Sequence, residues 1–321
     1  MSDDLVWRTD IPAPSAPDSR DGLVYVVPEE VKLAVNVALA TGRPLLLRGD
    51  PGTGKSSLAA YLARQLKWRY YELVISSRTQ TQDLLWSFDM VRRLADAQAT
   101  SLKSDVEYVE PGILWWAFDA PSARRRGLPP GEELSSGEPV EPYHEENQKR
   151  NPDAAVLLID EIDKAEPDVP NGILVALGSN EFEVTEIGIT VRPHDGGNGA
   201  GRHLIIITTN EERELPQAFL RRCVVTWLTA PDPDMMRKII RKHNQPMSKQ
   251  DEELADALIK ILPDVEKEAK KNALRPPSIA EVLDTFRACR GLEIRIGSSE
   301  WKNLVGLVLT KRQQPEDSYA K

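Results

Sequence analysis

Apolar positions along the chain follow two patterns in turn. Short unbroken runs at Leu45 to Leu47, Tyr70 to Ile75, Ala154 to Ile159, Leu204 to Thr208 and Val224 to Leu228 have the length and flanking turn residues of buried strands. Pro28 to Ala40 and Ser56 to Leu66 instead space their apolar residues as helices do. Strands of this kind separated by helices predict an α/β fold with a five-stranded parallel sheet covered on both faces. Such sheets bind ligands at the carboxyl ends of their strands. After Pro231 and Pro233 the strand pattern stops. Asp234 to Lys242, Glu252 to Ile261, Ile279 to Arg290 and Glu300 to Leu309 read as helices, with Ser278 and Glu281 forming a capping box behind Pro276-Pro277. A small all-helical domain is expected there.

Three stretches break the alternation. Thr81 to Ala120 adds material around Trp86, Phe88 and the Trp115-Trp116 pair, and Pro121 to Asp153 is loaded with proline, glycine and glutamate. Glu181 to Arg202 reads as a hairpin ending in the run Asp195-Gly196-Gly197-Asn198-Gly199. Long connections in compact domains are functional or disordered. The expected organisation is a disordered leader at 1–21, a core at 22–230 with a flexible insertion at about 121–153, a helical domain at 231–310 and a frayed tail at 311–321.

Composition narrows the function classes. With 321 residues and 40% hydrophobic content the chain can bury at least one sizeable core, and its formal net charge of -9 disfavours a general polyanion-binding surface. Cys223 and Cys289 lie far apart without a C-x-x-C partner, so neither a disulfide framework nor a thiolate metal site is expected. The histidines, His144, His194, His203 and His243, are scattered. Residues 1–21 lack the basic start and apolar core of a signal peptide, and no apolar run approaches bilayer-spanning length. A soluble, cytoplasmic protein without membrane insertion is expected.

The first strand run empties into Gly49-Asp50-Pro51-Gly52-Thr53-Gly54-Lys55-Ser56, a G-x-x-x-x-G-K-S pattern, and then into a helix. Glycines let the backbone turn so that successive N–H groups point inward, and the helix start adds its positive dipole end. Gly49 to Ser57 is therefore the candidate phosphate cradle, with Lys55 reaching the β- and γ-phosphates and Ser56 offering its hydroxyl to Mg²⁺. The run Val156 to Ile159 ends in Asp160-Glu161. Asp160 would hold the hydration shell of Mg²⁺ and Glu161 would act as general base on the attacking water. The run Leu204 to Ile207 ends in Thr208-Thr209-Asn210, where Asn210 could orient that water with help from Thr209. The signal lies in the order of the three motifs along the chain.

Leu215-Pro216-Gln217-Ala218-Phe219-Leu220-Arg221-Arg222-Cys223 then resembles the AAA+ ATPases. The resemblance implies an arginine finger acting on the γ-phosphate of a neighbouring subunit, carried by Arg222 or, as second choice, Arg221, with Cys223 where the family has phenylalanine. It also implies a helical lid in which Arg275 contacts the nucleotide in cis, and ATP rather than GTP as ligand. Extra residues at Asp83 to Glu110 and the hairpin around Glu183 to Val191 are similar to the helix-2-insert branch. Asp83-Leu84-Leu85, Glu110-Pro111-Gly112-Ile113-Leu114 and Asp160-Glu161-Ile162-Asp163-Lys164-Ala165 resemble the MoxR group within it, over roughly residues 23 to 310.

A MoxR-type relationship implies a ring, commonly hexameric, that remodels protein clients in a chaperone-like way and often works with von Willebrand factor A domain partners. An alternative on the same core is a nucleic-acid motor or restriction-type translocase. Acidic Glu183 and Glu186 in the hairpin, and mixed charges in the insert, disfavour that alternative. A slowly hydrolysing switch is a poorer fit to Glu161, Asn210 and an arginine finger.

Overall fold

The computed structural model describes residues 22–194, 202–272 and 274–310. The leader at 1–21, the glycine-rich run 195–199 and the tail at 311–321 lie outside them.

Five strands, β1 (Leu45–Arg48), β2 (Trp68–Val74), β3 (Asn151–Asp160), β4 (Arg202–Thr209) and β5 (Val224–Trp227), form one all-parallel sheet in the order β2-β3-β4-β1-β5. Alternation along each strand feeds two cores. Leu46, Leu157, Ile159, Ile205 and Ile207 face one side with Trp115 and Phe118, while Leu45, Leu47, Val156, Leu158 and Ile206 face the other with Val31, Val35, Leu58 and Ala59. The second side is covered by the helices Glu29–Thr41 and Lys55–Leu66, and the first by Ile113–Phe118, every residue of which is buried. The Trp115-Trp116 pair thus belongs to the main core, behind the insert. Strand register aligns the polar tips: Arg48 pairs with Thr209, Ile159 with Ile207 and Val74 with Asp160, so the ends carrying polar groups lie side by side.

Two of the three interrupting stretches carry small sheets among their described residues. Trp86–Phe88 pairs antiparallel with Val109–Pro111 around the helix Met90–Gln98, and Phe182–Val184 pairs with Ile189–Val191. The two units meet: the Trp86 ring stacks on Phe182 at 5.9 Å and 2°, and its Nε1 donates to Glu186 at 2.6 Å.

The segment 121–153 differs from the flexible insertion the sequence suggests. It has no apolar period because its hold is polar. Asn147 is buried, and its side-chain amide accepts from Tyr70 N (2.8 Å) and donates to Tyr70 O (3.1 Å), as a neighbouring strand would. Buried Glu141 accepts from the Tyr71 hydroxyl at 2.7 Å and pairs with Arg124.

Glu107, also buried, accepts from the amides of Ser135 (2.6 Å) and Ser136 (3.1 Å) and from the Ser136 hydroxyl. Burial alone would raise its pKa, but these hydrogen bonds outweigh it and hold the carboxyl at about 2, against an ordinary 4.5. A depressed carboxylate stabilises the fold fully above its unfolded value and loses that contribution as pH falls through its folded value. Glu107→Gln is therefore expected to lower the melting temperature at pH 7 by about 2–4 °C. The deficit relative to the parent should shrink between pH 4.5 and about 2, as thermal melts across that window would show. An equal deficit at every pH would contradict this.

Past Asp232, the helices Pro233–His243, Lys249–Lys271, Ile279–Gly291 and Ser299–Val305 enclose a separate core built on Ile240, Leu258, Phe286 and Trp301. Lys249–Lys271 runs beyond the expected Glu252 to Ile261 and through Pro263. Leu262, Val265 and Ala269 continue its buried stripe past the proline, and that packing outweighs the one lost hydrogen bond.

Candidate nucleotide site

The loop after β1 is shaped by left-handed glycines. Gly54, at φ 88°, caps the helix Lys55–Leu66 without any side-chain hydrogen bond, which leaves the first amides of that helix for an external acceptor. Gly52, at φ 80°, is met by the helical part: a Cβ there would lie 2.2 Å from Ser278 Cβ, and Gly52 O accepts from Ile279 N at 3.2 Å. The Ser278 capping box is present, with Glu281 accepting from Ser278 N, so the start of Ile279–Gly291 is docked on the loop.

Lys55 is 6% exposed and donates to Gly49 O at 2.7 Å and Asp50 O at 2.8 Å. Burial pushes its ammonium down, opposed by Asp160, Asp163, Asp50 and Glu161. At the tip of β3, Asp160 is 2% exposed, and its Oδ1 accepts from Ser56 Oγ at 2.7 Å and Thr208 Oγ1 at 2.5 Å. A hydroxyl and a carboxylate beside an amide-lined loop form the oxygen donor set a hard divalent cation takes, so the residues present fit Mg²⁺ with a phosphate ligand.

Glu161 comes next, at φ 60°, a left-handed conformation uncommon for a side chain this size, fixed by its N–H donating to Thr208 Oγ1 at 2.8 Å. Its carboxylate lies between Lys164 Nζ at 2.7 Å and Asn210 Nδ2 at 3.4 Å. Neighbouring strands thus bring together the Asp160-Glu161 pair and Asn210, some fifty positions apart in sequence.

A cleft of about 820 Å³ opens here between sheet and helices. Pro51 through Ser57, Asp160, Glu161, Thr208 and Asn210 line it, whereas Gly49, Asp50 and Thr209 do not. Its apolar part comes from Val24, Tyr25, Val26, Leu228, Ile279 and Leu283. No motif in the sequence marks Tyr25 and its neighbours, which read there as no more than the approach to the first helix. Burial pushes the Tyr25 hydroxyl up, and its backbone O accepts from Lys242 Nζ at 2.9 Å. Arg275 is not among the lining residues; it donates to Glu281 at 2.9 Å, and among the described residues the arginine that lines the cleft is Arg287. Ile279, Leu283 and Arg287 repeat every four residues, so Arg287 extends the apolar stripe, a signal that sequence does carry. Arg221 and Arg222 are exposed at the end of Gln217–Leu220 and outside the cleft, with Arg222 Nη1 donating to Ala218 O at 3.1 Å.

The family model of the AAA domain (dynein-related subfamily) matches residues 44–223, more than half of the chain, and takes in β1 to β4 up to the residue before β5. The chain belongs to the AAA family. As an AAA protein it is a nucleotide-binding ATPase. No curated protein matches the sequence closely enough to serve as a relative. Among solved structures, one from Cytophaga hutchinsonii ATCC 33406 described as a "putative ATPase" matches at 14% identity, covering 89% of this chain and 83% of that one with a TM-score of 0.42. Similarity that low adds nothing to the reading of the site. Among the described residues, no helix of this AAA protein is long and apolar enough to cross a membrane.

Proposed function

We propose that this AAA ATPase is a MoxR-type member of the helix-2-insert branch, a Mg²⁺-dependent, ring-forming enzyme that remodels or activates protein clients in the cytoplasm. The ring is a hexamer by resemblance, and the partner a protein such as one with a von Willebrand factor A domain. The observation that carries this reading is the packing of the insert around Met90–Gln98 against the hairpin Phe182–Val191 through Trp86. Both elements interrupt the ATPase core, and their contact makes them one body through which a nucleotide-dependent movement of the core can reach a client.

In this reading the core at 22–230 and a lid at 231–310 close on ATP. The loop from Gly49 to Ser57 cradles the phosphates and Lys55 contacts the β- and γ-phosphate oxygens. Mg²⁺, held by Ser56 and Asp160, would neutralise charge on those oxygens. Glu161 takes the proton of the attacking water and Asn210 orients it. Arg287 is the cation of the lid that reaches the nucleotide, in place of Arg275. The exposed Arg222, with Arg221 beside it, lies outside its own cleft and serves that of the next subunit.

Dilution tests the assembly directly. Turnover per subunit should fall as the protein is diluted, in step with loss of the ring by native mass measurement. Constant turnover from a lone subunit would overturn the ring reading. Salt-sensitive DNA binding that stimulates hydrolysis would move the assignment to a nucleic-acid motor.

A further inference from the structure

Asp163 lies two residues past Glu161 in the tight turn Ile162–Lys164, is 1% exposed and does not line the cleft. Its Oδ2 accepts from the backbone N–H of Asn210 at 3.1 Å and of Glu212 at 2.9 Å, while its Oδ1 is buried with no hydrogen-bond partner. Between those two amides, Glu211 N donates to Thr209 Oγ1 at 2.9 Å, and the Glu211 carboxylate pairs with Arg48 at the end of β1. Three successive amides after β4 are thereby satisfied by side chains. The turn that carries Asn210 is tied both to the Asp160-Glu161 strand and to the strand feeding the phosphate loop.

A buried carboxylate is costly to keep unless its hydrogen bonds secure something the fold or the chemistry needs. We propose that Asp163 is a positioning residue for hydrolysis: by holding the amides of Asn210 and Glu212 it fixes the Asn210 side chain against Glu161. The inference rests on the roles of Glu161 and Asn210 in the proposed function. It requires an acceptor oxygen at this position and not a charge, because one oxygen takes both N–H groups and the other takes none.

Asp163→Ala is expected to lower kcat for ATP about 10- to 100-fold, with KM and nucleotide affinity within about threefold of the parent. Asp163→Asn keeps an oxygen able to accept from both amides and should hold kcat within about threefold. In an Asn210→Ala background, Asp163→Ala should add little, since both changes act through one group. An asparagine variant as damaged as the alanine variant would mean that the carboxylate acts by its charge, and fully additive losses would mean that it acts elsewhere. Either result overturns the proposal. If Asn210→Ala alone leaves turnover unchanged, the reading of Asn210 fails first and the proposal falls with it, a pattern distinct from the other two. Should the alanine variant not fold, amide hydrogen exchange across 209–213 in the parent and the asparagine variant decides. Protection in both supports the proposal, and protection lost in the asparagine variant with kcat unchanged overturns it.

Discussion

Glu161→Gln should bind ATP as the parent does and hydrolyse it about 10²- to 10⁴-fold more slowly, the range a positioned general base supplies. The glutamine keeps the size of the side chain and its contact with Asn210, while it removes the proton acceptor and the partner of Lys164. Binding is expected to persist because the amide-lined loop, Lys55 and the Ser56–Asp160 pair are untouched. Equilibrium binding of labelled ATP beside steady-state phosphate release separates the two effects. Turnover at the parental rate would remove Glu161 from the role of base. Loss of binding would mean that the Glu161 carboxylate, with its contacts to Lys164 and Asn210, helps to hold the nucleotide and does not serve the chemistry alone.

Arg222→Ala should cost about 10³-fold or more in turnover, the contribution of an arginine finger, with nucleotide affinity in the same subunit little changed. The decisive measurement is a mixture. Lys55→Ala subunits lack a working cradle but keep Arg222, whereas Arg222→Ala subunits keep the cradle. Neither hydrolyses alone, and together they should recover part of the activity wherever an Arg222 faces an intact site. No recovery at any ratio would show that the arginine does not act between subunits, and the same experiment with Arg221→Ala distinguishes the two arginines. Gly178 lies beside this side chain: a Cβ there would be 3.2 Å from Arg222 Nε.

The sheet was legible because burial on both faces forces unbroken apolar runs in β1, β3 and β4, and all five runs, the edge strands included, are strands in the structure within three residues at each end. The loop from Gly49 to Ser57 was legible as a candidate cradle because its motif is local in sequence. What sequence concealed was set by long-range or polar contacts. Tyr25 enters the cleft because Lys242, more than two hundred residues away, holds its carbonyl. Arg275 is drawn off by Glu281, a partner that also serves the helix cap, so proximity to the helix start pointed to an arginine outside the cleft. The segment 121–153 looks unstructured in sequence because Glu107, Glu141 and Asn147, each polar and each buried, take the part that apolar periodicity takes elsewhere. Asp163 stands out in sequence only as one letter of a motif, since its two amide donors sit about fifty residues downstream.

The amide of Asn147 occupies both hydrogen-bonding groups of Tyr70 on the outer side of β2. A parallel sheet with such an edge left bare invites any extended chain to add itself as a sixth strand. In the client remodeller proposed above, which would meet unfolded chains, a plug of this kind would keep a loosened strand from annealing onto the ATPase itself.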